Sequence, residues 1–435
     1  MITRYNVKTA LAAVIGFLAL TAAPVCADVV PGETIDKSNW QKVEGLLPDP
    51  VLNYVKKGDY ILHIGKLNFD PVWEPEFQKA SEANAGKYDL DEEGNIVDPK
   101  IGKRPDYIYG FPFPKIDPND PKAATKISWN RSFAIFKAGQ NYFPYGVEWV
   151  GRGGFERRIR GVSIDYYFDG RANRLSNPDK TELKELSNVN SPASVEGFIQ
   201  LTWRYMDNRP DSVWSYVPAM RRTRQLSSLN RSDPFLGSDI TSDDAYVWYG
   251  KNQSMTWKLV GQQDILVQAA LPDPVPLVAG PEGDGGTSWI VQKEFLGAKF
   301  GYETPGWTGA PWSMTNFIWV KRPVWVVEAI PKDPYYSYGR QIIYADRENG
   351  LFYYKVNYNR AGEYWKLSLA DSSMAWSPDG NHRYYNTCVQ MDIDDRSDHA
   401  GVGTGTGTQG NLSEYNTARI HPADFAVDSL LKWGK

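Results

Sequence analysis

The residues best suited to chemistry in this 435-residue chain sit in a few short stretches. Arg221, Arg222 and Arg224 share one candidate strand, with Arg222 and Arg224 on the same face. Guanidinium forks bind phosphate or carboxylate bidentately, so at a cavity mouth this pair would hold an anionic headgroup. The plainer reading pairs them with Asp239, Asp243 or Asp244 downstream, as structural arginines commonly are. Trp203, Trp214, Trp257, Trp325 and Trp365 fall in separate candidate strands, where alternation would turn several toward one apolar cavity. Taken singly, each reads first as core.

Other constellations point away from catalysis. Asp392, Asp394, Asp395, Asp398 and His399 are the densest set of metal-ligand types, but the run lacks the glycine and terminal glutamate of a calcium loop. The four histidines, His63, His382, His399 and His421, are too scattered for a zinc motif. Gly405, Gly407 and Gly410 have GxGxxG spacing, yet polar residues precede them and 25 residues follow, too few for a βαβ unit. There is no G-x-S-x-G, and Cys388 has no histidine near it in sequence that makes it a credible nucleophile. The expectation is a non-enzymatic protein with no metal and no cofactor.

The elements that must position these residues are mostly strands. From Arg322 to Leu369 the chain reads as successive antiparallel strands, with Asn349-Gly350 as a two-residue type I′ turn. That turn predicts Ile343 opposite Val356, Ala345 opposite Tyr354 and Gln341 opposite Tyr358, an apolar face that adds Tyr354 to the candidate cavity residues. Further strands are predicted from Tyr142 onward, including 155–168, 195–206, 213–217, 221–226, 257–260, 265–270, 289–299 and 385–393. Residues 401–410 read as a flexible Gly/Thr loop, and 422–433 as a helical tail. Helices are predicted over 46–57, 77–85 and 121–137. More than ten strands without alternating helices predict an α+β, mainly β, fold: one large curled antiparallel sheet with helices packed on one side.

Composition sets the compartment. Arg4 and Lys8, an apolar run over Ala10–Ala23 and Val25-Cys26-Ala27 predict a cleavable secretory signal peptide over 1–27. The run is too short to span a membrane, and the residues before Cys26 match a lipidation box poorly. Removing 1–27 takes out two basic residues and no acid, moving the net charge from −4 to −6. That balance argues against nucleic acid or an anionic membrane surface as partner. Sixteen Trp and 26 Tyr suit sheet faces and wet-edged pockets. The expected plan is a signal peptide (1–27), an irregular, partly helical N-terminal region (28–140) and a β domain with a C-terminal helix (141–435).

Two longer stretches carry a family resemblance. WSYVPAMRRTRQLSSLNRSDPFLGSDITSDD (214–244) and VWVVEAIPKDPYYSYGRQIIYAD (324–346) resemble outer-membrane lipoprotein-sorting proteins of the LolA/LolB-like superfamily. GLLPDPVLNYVKKGDY, ASEANAGKYDL and GFPFPKIDPNDPKAATKISWN resemble a large Gram-negative family catalogued as domain of unknown function 1329. The resemblance covers nearly all of the mature chain. It implies an incomplete barrel whose open side is plugged by helices, around an apolar cavity for acyl chains. The expected function is a periplasmic carrier of lipid, lipoprotein acyl chains or another hydrophobic molecule. The alternative is a scaffold docked on an envelope transporter, without a lipid ligand of its own.

Overall fold

After Gln140 apolar and polar residues tend to alternate, and a period of two puts every second side chain on one face of a strand. The computed structural model describes residues 29–227, 231–283, 286–292, 297–405 and 413–434. The expected signal peptide lies outside them, as do residues 406–410 of the Gly/Thr stretch.

Thirteen strands of the 20-stranded main sheet form its two meanders. β1 (Gln140–Gly151), β2 (Gly154–Tyr167), β3 (Thr181–Ser191), β4 (Ile199–Tyr205), β5 (Ser212–Val217) and β6 (Arg222–Leu226) form one meander. β7 (Met255–Ala269), β8 (Ile318–Pro331), β9 (Arg340–Asp346), β10 (Phe352–Tyr358), β11 (Tyr364–Ala370), β12 (Val389–Asp394) and β13 (His399–Thr404) form a second. The two join where β13 pairs antiparallel with β1, Gly401 opposite Trp149. The spatial order is β6-β5-β4-β3-β2-β1-β13-β12-β11-β10-β9-β8-β7, antiparallel throughout. Among the described residues β6 pairs only with β5 and β7 only with β8, so the curled sheet stays open. These two edge strands are consecutive in sequence, and residues 231–254 cross the opening between them.

Each face is covered by different parts of the chain. On the outer face, helix α1 (Asp49–Lys57) starts with Pro50 in its first turn and stops at Gly58, whose φ is +82°. Its Val51 and Val55 belong to the same core as Val356, Leu367 and Ile393. Phe425 and Leu430 of the tail pack with Ile164, Leu186 and Leu201. Helix α2 (Pro75–Asn84) buries Phe77 against Phe111, ring centroids 5.1 Å apart. Helix α3 (Ala123–Phe136) is buried on almost every side, all its residues but Thr125 and Lys126, as a helix plugging the inside of a curl must be.

Three expectations are corrected. Ile342 faces Val356, Ile343 faces Lys355 and Tyr344 faces Tyr354, one residue away from the type I′ register. Of the two turn residues only Gly350 has positive φ, because the Asp346 carboxylate accepts hydrogen bonds from the backbone of Glu348 (2.7 Å) and Asn349 (2.9 Å) and closes a longer loop. A one-residue slip reverses which face a side chain occupies relative to its partner strand, and Lys355 ends up fully buried beside Ile343. Second, residues 401–404 are strand, not loop. Gly401 is bare because a Cβ there would meet the Asp239 backbone nitrogen of the crossing segment at 3.0 Å. Third, strand β3 has no counterpart among the predicted strands. Both of its faces are buried, Leu186 against the tail and Val189 near Phe235 and Ile240, so Leu183, Leu186 and Val189 follow a spacing closer to a helix.

Candidate functional site

The inner face of the first meander carries rows of polar side chains. Antiparallel register aligns Asn141, Asp165, Glu185 and Thr202 across β1 to β4. The next row aligns Phe143, Ser163, Ser187 and Gln200. The crossing segment roofs these rows with Phe235, Ile240, Ala245, Tyr246 and Tyr249, enclosing a cavity of about 180 Å³. Gln390, Thr387 and Gly403–Gly405 close one side. The floor is therefore polar and the roof apolar and aromatic. Among the described residues no lysine, arginine or histidine lines it.

Two carboxylates dominate its electrostatics. Asp165 and Glu185 are direct cross-strand partners, a pairing that brings Cβ atoms to about 4.5–5.5 Å and sets like charges against each other. Burial pushes the Asp165 carboxyl well above the usual carboxylate range; the Glu185 charge adds to this, while Tyr167 and Asn141 pull it back. Burial also raises Glu185, opposed by Arg231 and Arg204 and reinforced by Asp211 and Asp243. Tyr145 shares a 2.8 Å hydrogen bond with Ser187, and Tyr167 a 3.1 Å hydrogen bond with Tyr249 of the roof.

The roof is held by buried ionic contacts. Arg231 pairs with Asp243 at 2.5 Å and also donates to the Tyr249 carbonyl. Tyr336 donates to Asp243 at 3.0 Å, and Tyr338 to Asp244 at 3.1 Å. Lys355 pairs with Asp244, and both side chains are fully buried. Asp392 lies in the same cluster, accepting from Ser368; burial first, and then Asp244, raise its carboxyl well above the usual range. Gln390 clamps the roof twice, donating to the Asp244 carbonyl (2.5 Å) and accepting from the Tyr246 amide (2.6 Å). Arg131 of α3 donates to the Tyr246 carbonyl at 2.9 Å. Between these clamps Tyr246 and Val247 both take positive φ, 51° and 70°. That conformation is costly for a β-branched residue and persists only where its surroundings impose it.

None of the eight sequence-predicted site residues lines this cavity. Trp203 and Trp214 meet edge to face at 4.9 Å on the outer surface, where the Trp203 indole donates to the Phe425 carbonyl at 2.9 Å. Arg222 and Arg224 are exposed on edge strand β6. Their suggested partners are engaged elsewhere: Asp243 with Arg231, Asp244 with Lys355 and Asp239 with His399. Trp257 and Trp325 sit in a separate inner core with Tyr336 and Tyr338, and Trp365 packs against that core. Trp257 donates to the Asn252 carbonyl (2.9 Å) and Trp365 to Asp394 (2.6 Å). Trp325 also borders a separate depression with Arg347 and Glu348. Tyr354 donates to the Leu266 carbonyl at 2.8 Å. In the acidic stretch 392–395, Asp395 accepts from Tyr54 (2.9 Å) and Tyr364 (2.7 Å), so its oxygens serve structure.

The residues that do line the cavity carried a weak signal. Ser163 and Asp165, and Glu185 and Ser187, are polar at every second position, as is Gln200, which is how a solvent-facing strand also reads. Only the roof makes that face an interior.

A family model described as "Protein of unknown function (DUF1329)" matches residues 34–430. A comparison with curated proteins finds no match. Among solved structures, a putative outer membrane lipoprotein-sorting protein domain from Vibrio parahaemolyticus is 15% identical with a TM-score of 0.47, covering 70% of this chain and 97% of its own. A DUF1329 family protein from Desulfovibrio piger is 14% identical with a TM-score of 0.45, covering 70% and 98%. A LolA superfamily protein from Nitrosomonas europaea is 11% identical with a TM-score of 0.42, again covering 70% and 98%.

Proposed function

Given that the chain belongs to the DUF1329 family, we propose that it is a non-enzymatic carrier or binding protein for an amphiphilic molecule in the bacterial envelope. The signal-peptide pattern of residues 1–27 supports the periplasm as its compartment. The observation that carries the reading is the roofed cavity between the sheet's inner face and the segment joining its two free edges. At about 180 Å³ it lies below the roughly 300–1,000 Å³ of most small-molecule sites. At that size it takes a headgroup or a short apolar stub. A longer chain enters only if residues 231–254 shift, and Phe235, Ile240 and Ala245 would then cover it. Each buried methylene contributes about 0.8 kcal/mol to holding it there.

Native mass spectrometry of the protein purified from periplasm without detergent tests this. The expected result is a defined adduct that extracts into organic solvent. A bare mass, unchanged after incubation with amphiphiles of either charge, overturns the reading and favours a scaffold that docks on an envelope transporter.

A further inference from the structure

The roofed cavity pairs two like charges that no structural requirement explains. Asp165 and Glu185 stand directly opposite each other, an arrangement that destabilises a sheet. Asp165 is 3% exposed, and among the described residues Glu185 makes no hydrogen bond or ion pair. Arg204 and Arg231, the nearest cations to Glu185, are bound to Asp211 (3.0 Å) and Asp243 (2.5 Å). Arg131 lies beyond the Tyr246 ring, 6.0 Å from its centroid, outside the cavity lining.

Two further observations point to a ligand. The Thr387 hydroxyl lines the cavity from the opposite side, only 5% exposed, with Tyr385 nearby but no hydrogen bond of regular geometry. Phe143 of the floor and Tyr246 and Tyr249 of the roof form an aromatic wall: Phe143 to Tyr246 at 6.3 Å and Tyr246 to Tyr249 at 5.8 Å, both edge to face. Rings whose π-faces meet carboxylates are how proteins hold ammonium groups.

Building on the carrier reading above, we propose that the cavity binds the cationic group of an amphiphile, an amine or a quaternary ammonium, between the Asp165–Glu185 pair and the Phe143–Tyr246–Tyr249 wall. An anionic headgroup is turned away, because it meets two acids and no cation. The ligand's charge offsets the repulsion that otherwise favours protonation of the pair. The groups facing the pair are Asn141 and Tyr167 on β1 and β2, Tyr246 and Tyr249 on the roof, and beyond them the ion pairs Arg204–Asp211 and Arg231–Asp243. Burial and the neighbouring acid favour a proton on the pair, and a bound cation favours its release.

The test is calorimetry of the full mature chain with dodecyltrimethylammonium, dodecyl sulfate and free choline, each below any micelle concentration, repeated with Glu185→Gln. The expected result is a preference of roughly tenfold or more for the trimethylammonium amphiphile, with proton release in weak buffer; Glu185→Gln removes both. That variant relieves like-charge repulsion, so it should fold at least as stably as the parent. Equal affinity for both amphiphiles, unchanged in Glu185→Gln, overturns the cation site while leaving the carrier. Binding of neither overturns the carrier as well. Choline binding as tightly as the amphiphile overturns the amphiphile and makes the ligand a free ammonium solute.

Discussion

Replacing Lys355 by methionine isolates what pins the roof. Lys355 and Asp244 are both fully buried, and Asp392 lies in the same cluster. Methionine keeps most of the volume and removes the charge, leaving Asp244 without its cation and Asp392 with only Lys366 nearby. Removing one partner of a buried pair typically costs about 3–5 kcal/mol, because an uncompensated charge stays behind. Tyr338 and the Thr241 amide still donate to Asp244, which argues for the lower end, near 3 kcal/mol. Asp244→Asn alone should cost less, since Lys355 keeps Asp392 as a partner. The double variant should cost less than the sum of the two, the mark of direct coupling. Urea unfolding followed by circular dichroism gives the three free energies, and amide exchange over residues 231–250 reports whether the roof loosens first. A Lys355→Met cost under about 1 kcal/mol, with roof amides as protected as in the parent, would refute the claim that this pair holds the roof.

Burial raises the Asp371 carboxyl from 3.8 to about 6, opposed by hydrogen bonds from Ser373, Val389 and Cys388. The folded state therefore binds the proton more tightly than the unfolded one. The stability from this group is fully present below pH 4 and is lost as pH rises toward 6, by about 3 kcal/mol. Asp371→Asn should flatten the stability profile between pH 4 and 6, and denaturation curves that keep the parent's slope there would contradict this. Gly350 has a φ of +76°, and a Cβ there would meet Phe111 at 3.2 Å. Gly350→Ala should cost about 1–2 kcal/mol in chemical denaturation, and a neutral result would show that the loop relaxes.

The sheet was legible in the sequence wherever alternation ran unbroken. Strands β9 to β11 emerge from 341–369, and α3 from a stretch without proline or glycine that ends before Gly139. What misled was local chemistry that depends on distant partners. Asn349-Gly350 has the composition of a tight turn, but the Asp346 carboxylate sets a longer loop and the Asn349 amide is anchored on the Pro71 carbonyl. Tryptophans drew attention as a cavity lining, whereas Trp203 and Trp257 each place an indole N–H on a backbone carbonyl within packed core. The cavity instead uses serines, two glutamines and two acids alongside its aromatic residues. Their role follows from the roof above them, and the roof's position follows from Asp244 meeting Lys355, a pairing no sequence spacing announces.

The strand order also bears on how the protein comes to exist. Within each meander neighbours in the sheet are mostly neighbours in sequence, so either half can zip up through local contacts that close small loops. The seam between β1 and β13 is different, since it joins Trp149 to Gly401 and must wait for almost the whole chain to leave the ribosome. Asp239 and Ile240 of the roof rest on that seam's Gly401. The roofed cavity is thus the last thing assembled, and a half-made molecule has strands and hydrophobic faces but no enclosed compartment between them.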